Sequence, residues 1–256
     1  MAAPVEPAGP MARREVAERV RLAPEQLRPV VRYAVRREPD VAIDIGRSKV
    51  GGAPDLPRGT LWPSWVPAGG EKRLLQFFAQ LDLAEAAAAA PAELGLPACG
   101  LLSFFADFDP ASGSVPGSVP GPEAVAILYT PAEALLLRLG LRMVPVATAQ
   151  LHPLGTWYWP SPADGAAFDR EHEAGLRERA PNHYEMTARH QLGGHAGDDD
   201  GANLPLLQLD SDPLLELAWG PGGAPARLLW TVPAAGVARH DWAGAGFRVV
   251  PSSGRP

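Results

Sequence analysis

Between Ser48 and Pro63 the chain reads Ser-Lys-Val-Gly-Gly-Ala-Pro-Asp-Leu-Pro-Arg-Gly-Thr-Leu-Trp-Pro. Glycine frees φ, while proline fixes it and removes a backbone donor. Gly51, Gly52, Pro54 and Pro57 therefore forbid a long helix or a central strand here. The segment must be a shaped loop that ends in a large aromatic, Trp62, pinned by Pro63; Trp62 is expected to be buried and to anchor the loop. The same punctuation runs through the whole chain. With 27 glycines and 29 prolines in 256 residues, short strands and frequent turns are favoured over long helices. The 46% apolar content still allows a sizeable core.

The net charge of −6 lacks the basic footprint of a nucleic-acid binder. Arginines do cluster between Arg13 and Arg37, but Glu15, Glu18 and Glu25 are interspersed, as on a solvated helical face. Cys99 is the only cysteine, which excludes an internal disulfide and a thiolate-rich metal site and fits a reducing compartment. A monomer insensitive to reductant is expected. The N-terminus lacks the charged-then-apolar pattern of a signal peptide, and no apolar stretch is long enough to span a bilayer. These features predict a cytoplasmic protein with no membrane or nucleic-acid partner.

Residues 1–10 and 251–256 read as disordered tails around a single domain over 11–250. A helix is predicted from Pro24, with Leu27, Val30, Val31 and Ala34 on one face and Arg32, Arg36 and Arg37 late. Strands are predicted over Val41–Ile45, Leu74–Leu83, Leu101–Ala106, Val125–Tyr129 and Leu141–Gln150. Ala84–Leu94 reads as a short helix interrupted by Pro91. Thr130-Pro131-Ala132-Glu133 has a capping-box pattern with Gly140 beyond it, predicting a helix over about 131–139; another is predicted over 168–179. Residues 113–121 form a low-complexity loop.

The second half repeats the order of the first. His190-Gln191-Leu192-Gly193-Gly194 leads to Leu206-Leu207-Gln208-Leu209-Asp210, as Ser48–Gly52 leads to Phe78-Ala79-Gln80-Leu81-Asp82. Each copy then reaches an apolar strand after a glycine turn, Leu101–Phe105 and Leu228–Val232. This predicts an internally duplicated α+β fold, with mostly antiparallel β-rich modules over about 41–150 and 181–250, packed as one unit with peripheral helices. The Ser48–Pro63 loop, Phe78–Leu83, Gly100–Asp107 and the segments around His190–His195 and Leu206–Asp212 resemble the YwqG-like family of bacterial proteins. The resemblance implies an α+β protein with a duplicated arrangement, and it permits an immunity-type or regulatory role. The arginine-rich N-terminus is an addition to that pattern, and Gly193 stands where a larger residue is expected.

Candidate binding residues are Lys49, Trp62, Gln80, Trp157, Trp159, His190 and Gln208. Gln80 and Gln208 each precede an aspartate by two residues, and each amide is expected to satisfy backbone groups of its own Gly-Gly loop. Lys49 lies in a loop that falls short of a phosphate-binding motif, because Gly52 stands where such a loop needs lysine. Trp157 and Trp159 either line a groove or cap a sheet. His190, His195 and Asp198 are the weak candidates for a metal site, with no compact ligand motif among them. Cys99 has no histidine nearby in sequence and reads as a buried structural residue. No cofactor is expected. The reading is a non-catalytic module that binds a protein partner; the alternative is a hydrolase, metal-assisted or not, at the His190/His195 region.

Overall fold

Val30, Val31, Arg32, Tyr33, Ala34 and Val35 are all buried. Consecutive burial of this kind needs apolar cover on both faces of an extended strand. The segment is accordingly strand β1 (Arg28–Arg37), preceded by a single 3-10 turn over Pro24–Gln26. The helix predicted from Pro24 is thus corrected. Its β-branched valines favour the pleated backbone, and the layers on either side decide the outcome.

The computed structural model describes residues 13–89, 94–108, 124–140, 147–159, 180, 183–195, 203–216, 218–220, 223–237 and 239–251. The predicted tail 1–10, loop 113–121 and helix 168–179 fall outside them. Helix α1 (Arg13–Val20) precedes β1. After β1 come β2 (Lys49–Val50), β3 (Asp55–Pro57), β4 (Ser64–Trp65), β5 (Arg73–Leu74) and β6 (Gln76–Asp82). Helix α2 (Leu83–Ala89) then leads to β7 (Leu101–Ala106), β8 (Val125–Thr130), β9 (Leu136–Arg138) and β10 (Ala149–Trp159). The chain continues through β11 (Glu185–Gly193), β12 (Asn203–Asp210), β13 (Ala226–Pro233), α3 (Ala234–Val237) and β14 (Gly246–Pro251). The described fold is mostly antiparallel β-sheet with few helices, in keeping with the mostly antiparallel, β-rich part of the expectation.

Ten strands form one sheet in the order β14-β13-β12-β11-β1-β10-β2-β6-β7-β8, while β3–β9 and β4–β5 are separate pairs. Every described ladder is antiparallel. The large sheet rolls into a nearly closed, barrel-like form, because residues near its two ends share one core. Phe78 on β6 lies 5.3 Å from Trp230 on β13 and 6.1 Å from Phe247 on β14, centroid to centroid. Phe104 on β7 meets Trp230 edge-on at 5.9 Å, and the Trp230 indole N–H donates to the Phe105 carbonyl at 3.3 Å. Edge-to-face contact of this kind adds to the area buried. Outside the roll, Val16 and Ala17 of α1 cover Leu27, Val30, Ala34 and Leu154.

The sheet reads alike from either edge. Gln80 sits on the third strand from one edge and Gln208 on the third strand from the other. Gln80 pairs with Lys49 and Gln208 with Gln191. A bulge interrupts the ladder between Phe77 and Ala79, and another between Pro205 and Leu207, each just ahead of its glutamine. Gly51-Gly52 and Gly193-Gly194 follow the paired residues at the same interval, and all four have positive φ.

Two further predicted elements are corrected. Val41–Ile45 forms a 3-10 turn over Asp40–Ala42 rather than a strand, with Val41 91% exposed. The helix predicted over 131–139 stops after one turn, Ala134 N–H to Pro131 O, and the chain extends into β9 against β3. The cap begins a turn, but strand pairing and an ion pair on Arg138 outweigh local propensity. Strict alternation along the Leu74–Leu83 strand would put Leu75, Phe77, Ala79, Leu81 and Leu83 on one face. Instead the bulge at Phe78 sends Leu75 and Phe77 to a cluster with Phe105 and Leu56, and Phe78 and Leu81 to the main core.

Gly193 explains itself in this geometry. At φ +79° an added Cβ would lie 2.7 Å from the Pro29 carbonyl oxygen, a backbone atom of the neighbouring strand. Gly193→Ala is expected to cost about 1–3 kcal/mol from backbone strain alone. Urea denaturation checks this, and an unchanged midpoint would show that β1 and β11 can separate without loss.

Candidate functional site

Asp55 is fully buried on β3, and a buried carboxylate survives only if hydrogen bonds replace its water. Its Oδ2 accepts the Gly46 N–H at 2.9 Å and the Gln80 side-chain amide at 2.7 Å. Arg138 on β9 donates from Nε to Oδ1 at 2.8 Å and from Nη2 to Oδ2 at 3.3 Å, a two-pronged contact of the kind guanidinium geometry favours. The Lys49 ammonium, on a side chain with no exposure, lies 2.8 Å from Asp40 Oδ1 and 3.6 Å from Asp55 Oδ1. Asp40 also accepts the Ala53 N–H at 3.1 Å. Arg138 closes the ring by donating to the carbonyls of Asp40 and Ile43.

Two cations thus face two carboxylates in one network. Burial pushes the Lys49 pKa down, and the nearby carboxylates restore only part of it. Burial raises Asp55, but Arg138, the Gly46 N–H, Lys49 and Gln80 together outweigh it and hold the carboxyl below its usual range. The network lies beside a cleft of about 390 Å³ lined by Asp44, Arg47, Asp82 and Cys99. Cys99 is exposed there, which corrects its reading as a buried structural residue.

Gln80 Oε1 accepts the Asp55 N–H at 2.9 Å, and its amide also donates to the Arg47 carbonyl at 2.9 Å. Gln208 donates to the Arg189 carbonyl at 3.4 Å and to Asp210 Oδ1 at 2.7 Å. Arg47 and Arg189 each lie two residues before the ladder partner of their glutamine. Each amide is therefore used within its own half, on backbone just ahead of its Gly-Gly turn. Asp210 differs from Asp55. Burial raises its pKa, and Arg227, His190, Gln208 and Arg32 do not fully offset this.

His190 is 1% exposed, with Nε2 3.0 Å from Asp212 Oδ2. Asp212 Oδ1 also accepts the Leu214 N–H at 2.9 Å and so caps the 3-10 turn after β12. Nδ1 of His190 is buried with no hydrogen-bond partner among the described residues. His195 is half-buried just past β11, and Asp198 lies outside the described residues. Among the described residues, no group of three His, Cys, Asp or Glu is placed to hold a metal.

Trp62 is half-buried rather than buried, because its loop lies over the outer face of β6–β7. It still anchors the segment, donating from Nε1 to the Leu75 carbonyl at 2.8 Å and meeting Phe105 edge-on at 5.5 Å. Trp157 and Trp159 lie on β10 opposite Val30 and Arg28, with side chains outside the described set. Asp40, Asp55, Arg138 and Asp212 went unremarked in the sequence. Only the proline-flanked position of Asp55 hinted at a turn cap, and Arg138 lies 83 residues from it.

Residues 48–245 match the family described as a domain of unknown function, DUF1963. The chain belongs to the DUF1963 family. A comparison with the curated proteins returns no match. The DUF1963 region begins one residue before Lys49 and takes in Asp55, Gln80 and Arg138. It leaves out Asp40, and also β1, the strand that joins the two flanks of the sheet.

Removing the Asp55 charge leaves the buried Lys49 and the half-buried Arg138 with Asp40 as the one remaining carboxylate of the network. Asp55→Asn is expected to cost about 3–5 kcal/mol, read as a fall in unfolding midpoint. The sign with pH follows from linkage. Both Asp55 and Lys49 have folded pKa values below their unfolded ones, so the unfolded chain holds more protons and stability rises with pH through each window. The Asp55 contribution is present above about pH 4 and is lost as pH falls through its folded pKa. Acid denaturation of Asp55→Asn should therefore start from a lower plateau and fall less steeply than wild type.

Proposed function

We propose that the protein is a non-catalytic binding module that captures a partner protein, of an immunity or regulatory kind. One observation carries this. Val41, Ile45, Leu61, Val66, Leu74, Leu135 and Leu137 are the large apolar side chains exposed among the described residues, with Val41 at 91% and Leu61 at 88%. All belong to 41–74 and 135–137, the loops and small strand pairs laid over one half of the sheet. Large apolar side chains left exposed near polar groups are candidates for interaction with a partner. The charged side chains of the Asp55 network next to them are occupied with one another. Trp62 adjoins Leu61 and is the candidate binding residue nearest to this surface.

The reading includes an internal duplication, supported by the matched positions of Gln80 and Gln208, their bulges, their Gly-Gly turns and their bonds to Arg47 and Arg189. It also keeps the YwqG-like name, a bacterial origin and a cytoplasmic location. No described helix is long and apolar enough to cross a membrane. A hydrolase at the His190/His195 region is the second reading. It draws on Asp212, which holds His190 as an orienting carboxylate holds a general base. That reading needs a route for substrate to a ring that is 1% exposed.

The test is native purification from host extract, with mass spectrometry of what stays bound and elemental analysis. A stoichiometric partner retained by wild type should be lost from Leu61→Asp and Leu135→Asp, both with unchanged melting temperature. Capture that survives both substitutions sinks the surface assignment. Tightly held metal with turnover of a generic ester or phosphate substrate favours the hydrolase.

A further inference from the structure

We propose that β8 is the interface of a homodimer, in which two copies pair β8 to β8 antiparallel across a two-fold axis. An edge strand presents unpaired N–H and C=O groups, and the chemistry that fits such a row is another extended backbone. β8 and β14 are the two ends of the ten-stranded sheet, and no ladder joins them among the described residues. The two ends are built differently. β14 carries Arg248 and ends at Pro251, the charge and proline that keep an edge from pairing. β8 reads Val-Ala-Ile-Leu-Tyr-Thr and holds neither.

The occupant follows from self-complementarity. An isologous contact needs each residue to tolerate its symmetry mate. With the axis at Ile127, Ala126 faces Leu128 of the second copy and Val125 faces its Tyr129, so no like charges meet and apolar pairs line both faces. Opposed residues share a face, so core-side Val125 and Ile127 stay on the core side. Ala126 and Leu128 stay in the outer apolar layer with Trp62 and Trp65. Antiparallel pairing also continues the only ladder type described in this sheet. The inference replaces the monomer expected from a single cysteine. It goes beyond the partner-binding reading, which a monomeric result would leave standing.

Sedimentation equilibrium of the full chain under reductant tests it. At about 100 μM, where a contact with a Kd of about 10 μM is mostly filled, the expected mass is twice the 27.1 kDa of one chain. Leu128→Lys places lysines beside the axis and should return the mass of a single chain, whereas Val249→Lys on β14 should leave the dimer intact. In wild type, amide exchange across Val125–Thr130 should slow as concentration rises, a readout that does not depend on the variants folding. A wild-type chain that stays at single mass, or exchange on β8 that ignores concentration, overturns the proposal. So does a dimer that survives in folded Leu128→Lys.

Discussion

The Asp55 carboxylate is the point on which the first half of the molecule turns. It ties together a loop N–H from Gly46, a sheet side chain from Gln80 and the distant Arg138 of β9. Gln80 stands on the seven-residue β6, but the loop and the short strands around it have little regular hydrogen bonding of their own. β2 and β9 are two and three residues long, and β3 is three. A buried charge in this position is costly alone and is stabilised by each of these partners. That explains how a Gly/Pro-rich segment takes one shape. The turn residues allow the path, and the carboxylate selects it.

The second half holds its corresponding corner by different means. Gln208 keeps the bond to backbone that Gln80 makes, but Asp210 beside it is pushed up by burial rather than held down by an arginine fork. His190 and Asp212 lie nearby, sealed from solvent. Gln80 and Gln208 both donate to backbone ahead of a Gly-Gly turn, while the carboxylates beside them are held differently. The exposed apolar surface follows the same division, lying on the half that carries the β3–β9 and β4–β5 additions.

Much of the sheet was legible because its strands are locally unambiguous. Leu101–Ala106 and Val125–Tyr129 are short apolar runs between turn signals, and β7 and β8 follow them to within one residue. The errors fall where local and tertiary preferences conflict. Val30, Val31 and Ala34 satisfy a helical face as well as a strand covered on both sides, and only the neighbours β10 and β11 decide between them. Thr130–Glu133 carries a good helix start, yet Arg138 further on is wanted by Asp55. The candidate site was half visible. Lys49, Gln80 and Gln208 drew notice by position, but their partners Asp40, Asp55 and Arg138 did not.

The Ser48–Pro63 segment, expected as a loop that excludes a central strand, instead carries β2 inside the ten-stranded sheet and β3 against β9, because two-residue and three-residue pairings fit between its glycines and prolines. The sequence by itself determined that the chain is turn-rich and strand-rich and that Gln80 and Gln208 lie on strands. These follow from backbone sterics and side-chain alternation, which act between near neighbours in the chain. The tertiary structure decided that β1 is central, that Phe104 meets Trp230 across the core, and that Arg138 closes on Asp55. Those outcomes depend on which surfaces are covered and on pairing charges brought together from distant segments. Burial and counter-ion pairing take effect only once the chain has closed on itself, and short-range pattern carries no record of either.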